Sequence, residues 1–431
     1  MSELRSFAAS EAYLRRAEKV IPLGSQTFSK SRTQVPVGAS PLYLKKASGA
    51  EVWDLDDNHY IDFTSALAAI SLGYCDPDVN AAVHAQLDDG VILSLPHPLE
   101  AEVAELICDV VPCAEKVRFG KNGSDATSGA IRLARAYTGR DRVAVCGYHG
   151  WQDWYIGSTT RNRGVPQATR DLTSVFQYND LPSLERLVAD YGDDLAAIIL
   201  EPMNINWPAE GFLQGVRDVA DRVGAVLIFD ETITGFRFSI GGAQKLFGVT
   251  PDLATFGKGM ANGFPVSAIA GRADLMKLME EIFFSFTFGG ELLSLAAARA
   301  TIRKMLREPV LPTIEERGRS LAEKLEALIK ELALSEVFSV SGHPSWSFLK
   351  VENVSPETLN SVKTLMLQEL HQRGILALGQ HYLTYAHTDD QVDALMCAYG
   401  ETLPIVKGGL ERNDFGDLLR VDPLVPLFKV R

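Results

Sequence analysis

The sequence predicts an α/β protein: a large domain on a mainly parallel sheet covered on both faces, an N-terminal segment, and a smaller C-terminal α/β domain. Three observations predict it. Between about residues 80 and 310, short apolar runs (Val143–Cys146, Ala196–Leu200, Val226–Phe229, Leu253–Phe256 and Ala268–Ala270) alternate with helical patterns, and strands buried on both faces read as such unbroken runs. With 431 residues and 46% hydrophobic composition, the chain has enough apolar material for a big core and a second smaller one. After Thr301 the pattern changes to long helices around a strand-like run.

Taken in order, the chain opens with an amphipathic helix around Ser10–Val20 and a Gly/Ser/Pro-containing loop, Ile21-Pro-Leu-Gly-Ser-Gln-Thr-Phe-Ser-Lys30, that reads as a lid or arm. Leu42–Leu44 and Glu51–Asp54 flank Ser48-Gly-Ala as a hairpin, and Tyr60–Phe63 supplies a third short strand. Residues 1–75 are therefore expected to hold the helix, a substrate loop and a small β meander. The large domain is expected over 76–310. A small domain over 311–431 would contain a charged helix at Ile314–Leu334, a strand at Trp346–Val351, a helix at Pro356–Arg373 and a closing helix at Thr388–Leu403.

Composition narrows the function. A formal charge of -13 with no compensating basic block makes nucleic acid and anionic membranes poor partners, so an anionic ligand has to be caught by a local pocket. The cysteines, Cys75, Cys108, Cys113, Cys146 and Cys397, are odd in number and form no Cys-x-x-Cys pair, which argues against a disulfide framework or a zinc ribbon. No metal site is expected. Glu3, Arg5, Glu11, Arg15, Arg16 and Glu18 interrupt any signal-peptide apolar stretch, and no apolar run reaches membrane-spanning length, so the expected location is cytoplasmic.

In open α/β sheets ligands bind outside the carboxyl ends of the strands, and four of the apolar runs deliver chemistry there. Val143–Gly147 is followed by Tyr148-His149-Gly150, Ala196–Leu200 by Glu201-Pro202, Val226–Phe229 by Asp230-Glu231, and Leu253–Phe256 by Gly257-Lys258. A lysine flanked by Gly257 and Gly259 sits where backbone can approach a bulky ligand, and its amine, neutral when removed from water, can condense with an aldehyde. A carboxylate after a buried strand can keep a pyridine nitrogen protonated. Together Lys258 and Asp230 are the pair that pyridoxal 5'-phosphate requires.

A phosphate site is expected at Phe119-Gly-Lys-Asn-Gly-Ser-Asp125, a turn that feeds a helical pattern ending at Gly139 and so presents free amides at a helix N-terminus. Tyr148 is placed to stack on a cofactor ring with His149 behind it, and Trp151 and Trp154 to line a substrate entrance. Taken singly, each has an ordinary alternative as a cap, a boundary aromatic or a core histidine.

These residues resemble class III (subgroup II) pyridoxal-phosphate aminotransferases, and most closely the glutamate-1-semialdehyde 2,1-aminomutase-like branch. The resemblance spans nearly the whole chain. It is carried by Val117-Arg-Phe-Gly-Lys-Asn-Gly-Ser-Asp-Ala-Thr, Ala130-Ile-Arg-Leu-Ala-Arg-Ala-Tyr-Thr-Gly-Arg-Asp, Tyr148-His-Gly, Ile199-Leu-Glu-Pro, Ile228-Phe-Asp-Glu-Thr-Ile-Thr-Gly-Phe-Arg, Gly248-Val-Thr-Pro-Asp-Leu-Ala-Thr-Phe-Gly-Lys258 and Ala386-His-Thr. It implies a fold-type I architecture and an obligate homodimer with shared active sites. It further implies that Lys258 forms the Schiff base with the cofactor and Asp230 pairs with the pyridine nitrogen. By the same resemblance Asn122, Gly123 and Ser124 hold the phosphate, Tyr148 stacks on the ring with His149 and Glu201 around it, and Asn206 lies near the phenolic oxygen. Thr232 falls where a residue, usually aliphatic, packs the other ring face, and Thr287 matches the threonine that reaches the phosphate of the other subunit.

Three departures bear on the substrate. Lys30 stands where the aminomutase pattern has a carboxylate-gripping arginine, and lysine lacks the bidentate fork. A glutamate of that pattern is absent near Gly379-Gln-His-Tyr, and the phosphate turn reads Asn-Gly-Ser-Asp rather than Ser-Gly-Thr-Glu. The expectation is an aminotransferase that takes an amino group from a small-molecule donor such as glutamate to a ketone or aldehyde acceptor, a sugar or other polar metabolite. Its pocket would include Ser25, Gln26, Lys30, Arg32 and Trp151. The alternatives are an intramolecular aminomutase or a racemase on the same residues, and a non-catalytic homologue, which intact Lys258, Asp230 and phosphate turn disfavour.

Overall fold

Residues 4–425 are described in a computed structural model, in which the chain divides into two compact units. Residues 1–3 and 426–431, at the ends of the expected N-terminal and C-terminal domains, lie outside the described residues. One unit takes in 4–67, 72–76 and 312–425, and the other 68–71 with 77–311.

The first unit begins with a helix at Ala8–Ala17 and then β1 (Leu44–Ser48), β2 (Glu51–Asp54) and β3 (His59–Asp62), antiparallel neighbours that make the expected meander. The first strand starts at Leu44 rather than occupying Leu42–Leu44, because Lys46, Ala47 and Ser48 are the residues that pair with Trp53, Val52 and Glu51.

The second unit carries β4 (Lys116–Gly120), β5 (Arg142–Cys146), β6 (Thr173–Val175), β7 (Leu195–Leu200), β8 (Val226–Asp230), β9 (Leu253–Phe256) and β10 (Ser267–Gly271) in one sheet of order β4-β10-β9-β8-β7-β5-β6. β10 is antiparallel to both neighbours, while β6, β5, β7, β8 and β9 run parallel. β7 to β10 are buried at every residue, which is why their sequences show no polar alternation. The alternation survives in which face each side chain joins. Val143, Val145, Ala197, Ile199, Val226, Ile228, Leu253 and Ile269 pack with Ala126, Ala130 and Ile131 of the helix Gly123–Thr138. Ala144, Cys146, Ile198, Leu200, Leu227 and Phe229 pack on the other face with Phe212, Val216 and Val219 of the helix Phe212–Val223.

The first unit closes with helices and strands from the C-terminal part: β11 (Phe338–His343), β12 (Trp346–Val351), the helix Pro356–Gln372, β13 (Ile375–Leu376), β14 (Gln380–Tyr382) and the helix Asp389–Arg412. β13 joins β3 in parallel, and β11-β12-β14 form a separate sheet. The closing helix continues beyond the expected Leu403 and through Pro404, because Val406 and Gly409 on its next turns are buried. An interior proline removes one backbone bond, a loss that the packing offsets.

Two buried histidines make this unit sensitive to acid. His371 accepts or donates at Ser40 Oγ, 2.7 Å away, and His381 lies between Ser347 Oγ at 3.0 Å and the Tyr399 hydroxyl at 2.7 Å. Burial lowers His371 from 6.5 to about 3 and His381 to about 4. Above pH 6.5 neither the folded nor the unfolded state binds these protons. Below it the unfolded chain takes up protons that the folded chain refuses, so stability falls by about 1.4 kcal/mol per pH unit for each histidine until its folded value is reached. Urea unfolding midpoints are expected to drop between pH 6.5 and 4.5, with a shallower drop in His381→Gln; an unchanged slope in that variant would count against the assignment.

Candidate active site

The parallel strands β5, β7, β8 and β9 end along one edge of the sheet, and a period of two decides what points where. Val226 and Ile228 face the helix Gly123–Thr138, and so the same side takes Asp230, the last residue of β8. By the same count Ile199 leads to Glu201 and Leu253 to Thr255. Asp230 is directly opposite Thr255 in the ladder.

Asp230 is buried at 5% exposure, and every bond to it is accounted for by a donor. Oδ1 accepts from the Thr232 amide at 3.1 Å, the Thr232 hydroxyl at 2.6 Å and the Thr255 hydroxyl at 3.1 Å. Oδ2 faces His149 Nδ1 at 2.9 Å, and His149 Nε2 faces the Cys146 carbonyl at 3.1 Å. His149 thus ties the Asp230 carboxylate to the end of β5 through its two ring nitrogens. Burial alone would raise the Asp230 carboxyl; the His149 bond and charge, with the Thr232 donors, overcome it and hold Asp230 below the ordinary carboxylate range.

β4 runs into the helix Gly123–Thr138 through a capping box. Asn122 Oδ1 accepts the Asp125 amide at 3.3 Å, while Asp125 Oδ2 accepts the amides of Asn122 at 2.9 Å and Lys121 at 3.0 Å. That box leaves the first-turn amides of Gly123 and Ser124 for a ligand oxygen. Ser124 Oγ accepts the Trp151 amide at 3.3 Å, tying the turn to the segment after β5. In that segment Glu201 Oε2 accepts the Tyr148 amide at 3.1 Å, and the Tyr148 ring sets edge-on against Tyr155, 5.6 Å between centroids.

Lys258 follows β9 with φ +43°, a left-handed backbone that a non-glycine residue keeps only when its surroundings hold it. The turn after it is fastened by Asn262, whose Oδ1 accepts the Ser71 amide at 3.0 Å. A side chain at Gly259 would come 2.6 Å from Ser71 Oγ and would force that hydroxyl to shift. Thr232 lies between the two halves of the site. A Cβ on Gly123 would meet its Cγ2 at 3.1 Å and one on Gly257 would meet it at 3.5 Å.

Residues 33–398 match the model of the family described as aminotransferase class-III. The chain belongs to that family. It is 33% identical over 417 residues to the 3-aminobutyryl-CoA aminotransferase of Cloacimonas acidaminovorans, covering 94% of this chain and 99% of that one. It is 37% identical over 338 residues to the glutamate-1-semialdehyde 2,1-aminomutase of Natranaerobius thermophilus, covering 74% and 78%. Among solved structures, the FumI protein of Sphingopyxis sp. MTA144, in its PLP internal aldimine form, superposes with a TM-score of 0.88 at 27% identity, over 96% of this chain and 99% of that one. The fold is that of the fold-type I transferases, and pyridoxal phosphate is the cofactor of this class-III enzyme.

The residues of this aminotransferase-family site suit that cofactor. A buried carboxylate held ionised matches a pyridinium, two unused helix amides match a phosphate, and an aldehyde needs the amine that Lys258 carries. Not every residue expected in the site is enclosed. Asn206 is exposed in the loop after Glu201, and Trp151 is 65% exposed. Thr287 is exposed beside a depression of about 390 Å³ lined by Ile92, Leu93, Leu95, Ser285 and Gly290. In the other unit, Ser25 Oγ accepts the Thr27 amide at 3.3 Å, Gln26 and Lys30 are exposed, and Arg32 is committed to Glu18 at 2.5 Å.

Thr255 and the Cys146 carbonyl were not foreseeable from residue type. Both act through register and chain direction, and the signal available was that Thr255 is the one polar residue inside the apolar run Leu253–Phe256. Glu231, beside Asp230, is wholly buried and accepts from the Thr234 hydroxyl and the Ala243 amide at 2.6 Å and the Gln244 amide at 3.0 Å. Burial pushes its carboxyl up against those bonds. Gly123→Ala is expected to weaken cofactor retention about tenfold or more, the effect of losing about 1.4 kcal/mol, in equilibrium dialysis of the folded variant. Unchanged retention would place the phosphate elsewhere.

Proposed function

We propose that the chain is an aminotransferase that moves an amino group from a donor such as glutamate to a ketone or aldehyde acceptor, a sugar or other polar metabolite. The observation that carries this reading is Asp230: buried, kept ionised, and joined through Thr232 to the backbone on both sides of the site. Its similarity over almost the whole chain to an aminotransferase supports the same reaction type.

When bound, pyridoxal phosphate supplies an electron sink for the carbon that bears the amino group. Asp230 holds the proton on the ring nitrogen. Asn122, Gly123 and Ser124 fix the phosphate, Tyr148 covers one ring face, Thr232 packs the other, and His149 and Glu201 orient Asp230 and Tyr148. Asn206 is assigned to the phenolic oxygen. Lys258 Nζ would hold the cofactor aldehyde, and the same amine would move the proton at substrate Cα. Ser25, Gln26, Lys30, Arg32 and Trp151 are proposed to recognise the substrate. Since Arg32 is paired with Glu18, Lys30 is the stronger candidate for an acidic group of the substrate.

We further propose a cytoplasmic homodimer in which Thr287 reaches the partner's phosphate. Val91, Ile92, Leu93 and Leu95, with Phe283, Phe286 and Phe288, expose apolar surface around the Thr287 segment, as a subunit interface would. Among the described residues no helix is long and apolar enough to cross a membrane.

The 37% identity to an aminomutase favours a second reading, in which the amino group moves within one substrate. Amino donor alone should convert the cofactor's visible spectrum in the first case, and the product should carry the donor's labelled nitrogen. Lys258→Ala is expected to lower turnover by at least about 10³-fold while still binding cofactor. If donors leave the spectrum unchanged and labelled nitrogen stays with its own substrate, the aminotransferase reading fails. Sedimentation of wild type and Leu93→Glu tests the dimer, which the substitution should dissociate.

A further inference from the structure

We propose that the Thr232 hydroxyl sets where the proton shared by Asp230 and the cofactor ring nitrogen resides, keeping it on the nitrogen; this rests on the reading of Asp230 as the ring-nitrogen partner. Thr232 makes the shortest bond to the carboxylate, Oγ1 to Oδ1 at 2.6 Å, and its amide adds a second to the same oxygen at 3.1 Å. A hydroxyl that donates to a carboxylate stabilises the anion and makes it a weaker base. The weaker that base, the more completely a proton between it and a pyridine stays on the pyridine, and the stronger the electron sink.

The side chain is held for this role from both sides. Its Cγ2 fills the space left by two glycines, one opening the phosphate turn and the other preceding Lys258, so its rotamer is fixed with the hydroxyl on Asp230. The other groups around the carboxylate do separate work. The Thr255 hydroxyl bonds Oδ1 from β9, and His149 is the titratable side chain on Oδ2. Glu231, next in sequence, is turned onto Thr234, Ala243 and Gln244, and Glu201 takes the Tyr148 amide. Lys258 follows the other flanking glycine. Thr232 thus acts through Asp230, as a positioning residue, and its contribution is separable from burial of the site because valine has the same shape without the donor.

The test is the ¹⁵N chemical shift of the ring nitrogen in holoenzyme reconstituted with ¹⁵N-labelled pyridoxal phosphate, compared for wild type, Thr232→Val, Thr232→Ser and Asp230→Asn. Loss of one hydrogen bond to a charged group should change the proton partition about tenfold or more. The signal should therefore move toward the neutral-pyridine position in Thr232→Val and return in Thr232→Ser. Where the valine variant retains no cofactor, Thr232→Ala gives the same reading without filling the space. A signal that stays at the wild-type position in Thr232→Val or Thr232→Ala while Asp230→Asn moves it overturns the proposal and leaves the role of Asp230 intact. A signal that Asp230→Asn also fails to move overturns both.

Discussion

A charge buried at the end of a fully buried strand is the constraint around which the second unit is arranged. Placing a carboxylate in an apolar interior carries a large desolvation penalty unless donors and an opposite charge replace water. Asp230 meets that condition through four bonds drawn from three chain segments: its own strand end, β9 and the segment after β5. Each of those segments also carries a residue of the site, so satisfying the carboxylate and assembling the site are one structural requirement.

The contrast with Glu231 shows which partner matters. Both carboxyls are buried, both accept several hydrogen bonds, and they are adjacent in sequence. Asp230 lies below the ordinary range and Glu231 above it. The difference is the imidazole at Oδ2: the donors around Glu231 leave burial dominant, whereas the His149 bond and its electrostatic attraction, with the Thr232 donors, outweigh burial at Asp230. Environments that drive neighbouring titratable groups apart are a mark of functional sites. Here the group driven down is the one held by Thr232, Thr255 and His149, while Glu231 fastens the chain at Ala243 and Gln244.

How much of this was legible in the sequence follows from how local each cause is. The runs Val226–Phe229 and Leu253–Phe256 gave β8 and β9 almost residue for residue, because strands covered on both faces must be apolar throughout. The turn that opens the helix Gly123–Thr138 was legible because its capping residues are close neighbours in sequence. β4 was not read as a strand: Lys116-Val-Arg-Phe-Gly alternates at an exposed edge of the sheet, where burial imposes no unbroken apolar run. The closing helix was cut short at Pro404, a local rule that burial of Val406 and Gly409 overrides. The pairing of Arg32 with Glu18 and the donors Thr255 and His149 are contacts across 14, 25 and 81 positions, and residue type alone names no such partner.

The dependence runs from the sheet outward. Asp230 faces Thr255 and the helix Gly123–Thr138 only because β8 pairs with β9 in one register, Ile228 with Leu253 and Asp230 with Thr255. A slip of one residue would turn Asp230 to the face of Leu227 and Phe229, away from the Thr232 and Thr255 hydroxyls and His149 that receive it. The register is in turn fixed by the two apolar faces of the same strands, so the packing that stabilises the fold also aims the carboxylate. Thr232 and Thr255 then donate to a carboxylate that the core has already positioned.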